Sequence, residues 1–140
     1  MTQAPDSVLV EDFSFFMARG LSAALPMYRL TATQYDVLHL ALANMERGGL
    51  VAMTLEEIAE RLGTQAPNVS VALAVLRERG LLWREGPGRH RINPHIAFRG
   101  SVDEWNAALA SIPADVPEVV IPDYRRRPPR PGRRRSLSVA

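Results

Sequence analysis

The 140-residue sequence contains no cysteine and no lysine. Without cysteine there can be no disulfide framework, no thiolate nucleophile and no zinc–cysteine site. Long hydrophobic runs are also missing: nothing approaches the roughly 18 consecutive apolar residues that span a bilayer. The opening stretch MTQAPDSVLVED is acidic and lacks the basic segment that begins a secretory signal. A soluble, cytoplasmic protein with no membrane partner is therefore expected. The sequence holds no GxGxxG, no phosphate-binding P-loop and no GxSxG. Its three histidines, His39, His90 and His95, lack further ligands at metal spacing. Glu56, Glu57 and Glu60 are neighbours, but they fall on the solvated side of an amphipathic segment. Neither catalytic residues, nor a metal, nor a cofactor is expected, and the chain reads as a non-enzyme.

What is present is an uneven charge. All 17 basic residues are arginine, set against 15 acids, for a net +2. Seven of them, Arg125, Arg126, Arg127, Arg130, Arg133, Arg134 and Arg135, lie in a stretch without any acid. The remaining body carries ten arginines against 15 acids, a charge of −5. The near-neutral total hides a basic tail on an acidic body.

Turn signals and apolar spacing divide the chain. Residues 1–11 read as a flexible arm and residues 12–110 as one domain. Residues 111–123 read as an extended linker, because Pro113, Pro117 and Pro122 block a helix. Residues 124–140, rich in Arg, Pro, Gly and Ser, cannot bury enough apolar surface to offset ordering entropy and read as a disordered basic tail. Within the domain, Phe13–Leu25 fits a short strand over 13–17 followed by a short helix ending before Pro26. Gln34–Glu46 fits a helix with Thr33 and Asp36 as its capping pair and Tyr35, Leu38, Leu42 and Met45 as its apolar stripe. Leu50–Met53 fits a brief strand.

The next segment is the most informative. Thr54 opens a helix over TLEEIAERLG (54–63), with Glu57 in capping position and Leu55, Ile58, Ala59 and Leu62 on one face. A second helix starts at Gln65 or Ala66, with Thr64 as N-cap, Pro67 in its first turn and Val69, Ala72, Leu73 and Leu76 as its buried stripe. Gly80 ends it. Leu81–Arg84 and Arg89–Asn93 then form a β-hairpin around Glu85-Gly86-Pro87-Gly88. This order resembles the winged helix-turn-helix fold. Ala59 allows close helix crossing, Gly63 turns the chain and Val69 fills the angle. The expected class is mainly α with a small β-hairpin (α+β), with an extra N-terminal strand and helix and a short C-terminal helix, Val102–Ala110. That helix has Ser101 and Glu104 as its capping box and Trp105 and Leu109 as its core contacts.

In that fold the second helix of the motif reads the major groove and the wing lies along the backbone or minor groove. Residues 61–100 carry seven arginines (61, 77, 79, 84, 89, 91 and 99) against Glu78 and Glu85, a local +5. Double-stranded DNA is the implied partner. Candidate contacts from the helix are Thr64, Gln65, Asn68, Ser70, Val71 and Arg77. Asn or Gln can pair an adenine edge, and Val71 can meet a thymine methyl. Candidate wing contacts are Arg84, Arg89, His90 and Arg91, and the seven tail arginines can follow the phosphate backbone.

The stretch Arg91-Ile-Asn-Pro-His-Ile-Ala-Phe-Arg-Gly100 resembles the ending of plasmid replication initiators of the RepL type and their actinobacterial relatives. DFSFFMARG, YDVLHLAL, LVAM, EEIAERLG and NVSVALAVLRERGLLWR precede it in the matching order. The resemblance implies origin or operator binding in plasmid replication or copy control. The same fold leaves two alternatives open, a MarR-like transcriptional regulator and an interaction module that does not bind DNA, which Val71 and Val75 motivate. A homodimer through Phe13–Leu25 or Val102–Ala110 is equally open.

Overall fold

In the computed structural model the described residues are 15–119. They form β1 (Phe16–Met17), α1 (Arg19–Tyr28), α2 (Ala32–Ala43), β2 (Leu50–Ala52), α3 (Leu55–Leu62), α4 (Ala66–Glu78), β3 (Leu82–Gly86), β4 (Arg89–Ile92), β5 (Ala97–Phe98) and α5 (Val102–Ala110). The winged helix-turn-helix read from the sequence is the fold observed, with helices predominating and two small antiparallel sheets. The expected arm at 1–11 and the tail at 124–140 lie outside the described residues.

Four helix boundaries differ from expectation. α1 runs through Pro26 instead of stopping before it. A proline there removes a bond to the Ser22 carbonyl. Ser22 and Pro26 both lie on the exposed side of the helix, so that carbonyl remains open to water. The N-cap of α2 is Thr31, not Thr33. Its Oγ1 accepts the Gln34 N–H at 3.2 Å, and Gln34 Oε1 accepts the Thr31 N–H at 3.0 Å. Both threonines have a candidate partner three residues on. The longer Gln34 side chain reaches back to the cap where the shorter Asp36 does not. α2 also ends at Ala43, and Met45 reaches the core from the following loop. Finally, Gln65 rather than Thr64 holds the N-cap position of α4. The Thr64 hydroxyl instead accepts the Asn68 amide at 3.0 Å.

The helix-turn-helix is built as its sequence implies. Thr54 Oγ1 accepts the Glu57 N–H at 3.1 Å, the forward half of the expected box. Gly63 adopts the left-handed conformation at φ +66°, and the Thr64 N–H closes on the Ala59 carbonyl at 3.0 Å. Ile58 and Ala59 of α3 and Val69, Ala72, Leu73 and Leu76 of α4 are buried, while Leu55 and Leu62 are partly buried against the same core.

β3 and β4 form the hairpin, and β3 continues to Gly86, so Pro87-Gly88 alone make the tip. β2 pairs with β4 on its other side, giving the strand order β2-β4-β3. β4 is therefore the central strand, with Val51 opposite His90 on one side and Arg84 opposite His90 on the other. A second sheet pairs Phe16 with Phe98 and Met17 with Ala97. The join between hairpin and second sheet is fixed by buried Asn93, whose Nδ2 donates to the Gly80 carbonyl at 2.8 Å.

α5 keeps its expected span and its Ser101–Glu104 capping box. It lies on the surface: Trp105 and Leu109 are half-buried and no residue of α5 is fully buried. The Trp105 indole donates to the Pro94 carbonyl at 2.8 Å and meets the Phe16 ring edge-on. Arg47 and Glu104 add an exposed ion pair at 2.6 Å. Beyond α5, the non-helical segment 111–119 returns to the domain. Val119 packs on the core and the Pro117 carbonyl lies close over Gly80.

Candidate nucleic-acid interface

The helix spacing of α4 separates two stripes. Exposed Ser70, buried Leu73 and half-buried Arg77 face the wing, while Asn68 and Val71 lie exposed beside them. Val71 is 65% exposed, and Val75 is half-buried. At the helix start Gln65 and Asn68 are exposed, and the Asn68 amide is held by Thr64 as described above. A side chain anchored this way is oriented in advance, and the residue remains exposed.

The hairpin alternates in the same manner. Ile92 and Leu82 point to the core, so the two-residue period of a strand places His90 and Arg84 on that side too. Arg89, Trp83 and Arg91 fall on the other side. The wing residues named from sequence are thus split between two faces. Arg84 is exposed because β3 is an edge strand. His90 is only 5% exposed because β4 lies between two neighbours. Its position on the wing is therefore a buried one, contrary to a solvent-facing contact. Arg91 is half-buried and committed elsewhere. It forms an ion pair with Glu85 and donates to the Gly48 carbonyl at 2.8 Å. Its hydrogen bonds hold the Glu85 carboxyl below its usual range, and the carboxylate in turn raises the guanidinium.

The arginines behind the local +5 have different duties. Arg61 donates to Asn44 at 3.4 Å, Arg99 to the Met45 carbonyl at 3.3 Å, and Arg79 lies 5.6 Å over the Tyr28 ring. With the described residues, Arg77, Arg84 and Arg89 form no ion pair or hydrogen bond of this kind. Two of these three, Arg77 and Arg84, meet in a groove of about 480 Å³ between α4 and the wing. Ser70, Pro87, Gly88 and His90 line it as well, and Thr54 and Glu56 close it from the start of α3. Burial pushes the His90 imidazole below its ordinary range, and the charges of Arg77 and Arg84 push it the same way. The groove-facing role of Thr54 and Glu56 was missed from sequence. Pairing β2 to β4 is what brings the start of α3 beside the hairpin, and that pairing has no local signature.

The seven tail arginines lie outside the described residues. Among the described residues no group of three metal-ligating side chains occurs, and no helix is long and apolar enough to cross a membrane. No curated protein and no solved structure matches the chain significantly. A family model does match: residues 30–91, from the turn before α2 through most of β4, are similar to the MarR family.

Proposed function

We propose that the domain binds double-stranded DNA as a transcriptional regulator of the MarR-like kind, without catalytic activity, in the bacterial cytoplasm. The observation that carries this reading is the pairing of Arg77 and Arg84 across one groove between an exposed helix and its wing, within the segment that resembles the MarR family. In this arrangement the start of α4 enters the major groove. Gln65 and Asn68 read base edges, Ser70 and Thr64 reach phosphates, and Val71 meets thymine methyls. Arg84 and Arg89 accompany the wing along the backbone. The tail arginines 125–127, 130 and 133–135 add phosphate contacts.

The role in plasmid replication that Arg91–Gly100 suggests receives less support, since that stretch falls almost wholly outside the matched residues. The location of the site distinguishes the two roles. A single palindrome over a promoter supports regulation, and iterated repeats beside an origin support replication. A second copy of the chain is proposed to dock on β1 and α5, where Phe15, Phe16, Met17 and Val102 are exposed. Sedimentation of the full chain reads this directly.

The deciding experiment is a gel shift on promoter fragments and plasmid DNA at two salt concentrations. Absence of any shift at low salt overturns the DNA reading in both forms and leaves the interaction module. Deletion of residues 124–140 should weaken all sequences alike. It should also flatten the slope of log K against log salt by up to roughly 6, the value for seven phosphate contacts.

A further inference from the structure

His90 carries an anomaly that the fold does not explain. It is 5% exposed, and its Nε2 has no hydrogen-bond partner among the described residues. A buried polar atom left without a partner is costly, and such an atom at a groove wall points to a missing ligand. The groups around it indicate the ligand's charge. Arg77 faces it from α4 and Arg84 from β3, while Glu56 stands at the α3 side of the same groove. From β2 its direct neighbour is Val51, which does not titrate. Two guanidiniums beside an imidazole form a donor set suited to an anion with several oxygens, and Ser70 adds a hydroxyl at the rim.

We propose that the groove between α4 and the wing seats one phosphate group, bound by Arg77 and Arg84 and completed by a hydrogen bond from His90 Nε2. For the source of that phosphate the proposal rests on the DNA reading; the seat itself does not. A backbone phosphodiester and free inorganic phosphate share this chemistry. Burial is the main cause that keeps His90 neutral, and the charges of Arg77 and Arg84 add to it; an anion between the arginines offsets those charges and raises the proton affinity of the imidazole. The bound form then holds more protons than the free form. Affinity therefore rises as pH falls, by at most about tenfold per pH unit. Glu56 opposes the anion, and Glu56→Gln should tighten the seat.

The test uses the full chain in two arms. In the first, inorganic phosphate is titrated while the His90 ring is followed by NMR. Saturable shifts and an upward move of its titration midpoint, both lost in Arg84→Gln, support the seat. In the second, duplex DNA affinity is measured at about pH 6 and about pH 8, the span over which histidine titrates, for the unaltered chain and His90→Gln. Tightening at low pH only with His90 present assigns the phosphate to the DNA backbone. Identical pH profiles, with the NMR shifts intact, assign it to free phosphate. An unresponsive His90 in a chain that still binds DNA overturns the seat and leaves the DNA reading standing. A responsive His90 in a chain that binds no DNA does the reverse. Arg84→Gln, at an exposed strand position, replaces His90→Gln in the second arm where the latter does not fold.

Discussion

Gly63 and Gly80 offer a controlled comparison. Both adopt left-handed backbone, at φ +66° and +73°, so alanine suffers similar conformational strain at each. That strain is about 1–2 kcal/mol for an L-residue. It is partly offset because alanine restricts the unfolded chain by about 0.4–1 kcal/mol. A net loss of about 1 kcal/mol follows wherever nothing else changes. At Gly63 nothing lies within 4 Å of the added methyl. At Gly80 the methyl would stand 2.2 Å from the Pro117 carbonyl oxygen and 3.1 Å from its carbon. Backbone atoms cannot yield as the end of a long side chain does, so the 113–119 segment must lift. Lifting it uncovers half-buried Val119. With about 1.5–3 kcal/mol for complete burial of such a side chain, half of it adds about 1 kcal/mol. Gly63→Ala should thus lose about 1 kcal/mol and Gly80→Ala about 2–3 kcal/mol, read by urea denaturation of both variants. Hydrogen exchange should show the extra loss concentrated at 113–119. Equal losses at the two positions would refute the packing of this segment over the end of α4.

Other outcomes follow from single sites. Leu76→Ala, at a fully buried position of α4, should cost about 2–5 kcal/mol by thermal or chemical unfolding. Thr31→Ala removes the α2 capping box and should cost about 1 kcal/mol. The folded-state pKa of His90 lies below its ordinary 6.5. Its contribution to stability is complete above that value and declines as pH falls from about 6.5 toward the folded pKa. Denaturation midpoints should show this acid-side loss in the unaltered chain and not in His90→Gln. Asn68→Ala should relax sequence preference while leaving non-specific affinity nearly intact. A uniform loss across sequences in a binding array would remove it as a base reader.

The helix-turn-helix was legible because its signals are local and mutually consistent. Pro67 in a first turn, Gly63 at a stop and four apolar residues at helical spacing all specify the same crossing. The α2 cap was less legible because two threonines competed within three residues, and only side-chain reach separates them. The β1–β5 pairing was invisible for another reason: two-residue strands some 80 residues apart leave no periodic trace. His90 lay between these cases. Counting by twos from Ile92 places it on the inner face, yet its burial depends on β2 closing the far side of β4. Charge counting found the basic region but could not apportion it. Arg61, Arg79, Arg91 and Arg99 hold the fold, and only the folded arrangement separates them from Arg77, Arg84 and Arg89.

The central position of β4 has a mechanical consequence. A hairpin with one free side can swing about its base, and its tip samples many distances from the preceding helices. Here the inner strand is stitched along both edges, and the strand on its far side runs through Met53 and Thr54 directly into α3. Any tilt of the wing must carry α3 with it, and with α3 the crossing that sets α4. The span between helix and wing is therefore a fixed gauge. On the proposed DNA reading, a duplex of unsuitable groove width must itself bend to meet helix and wing together, leaving only Pro87-Gly88 to yield on the protein side.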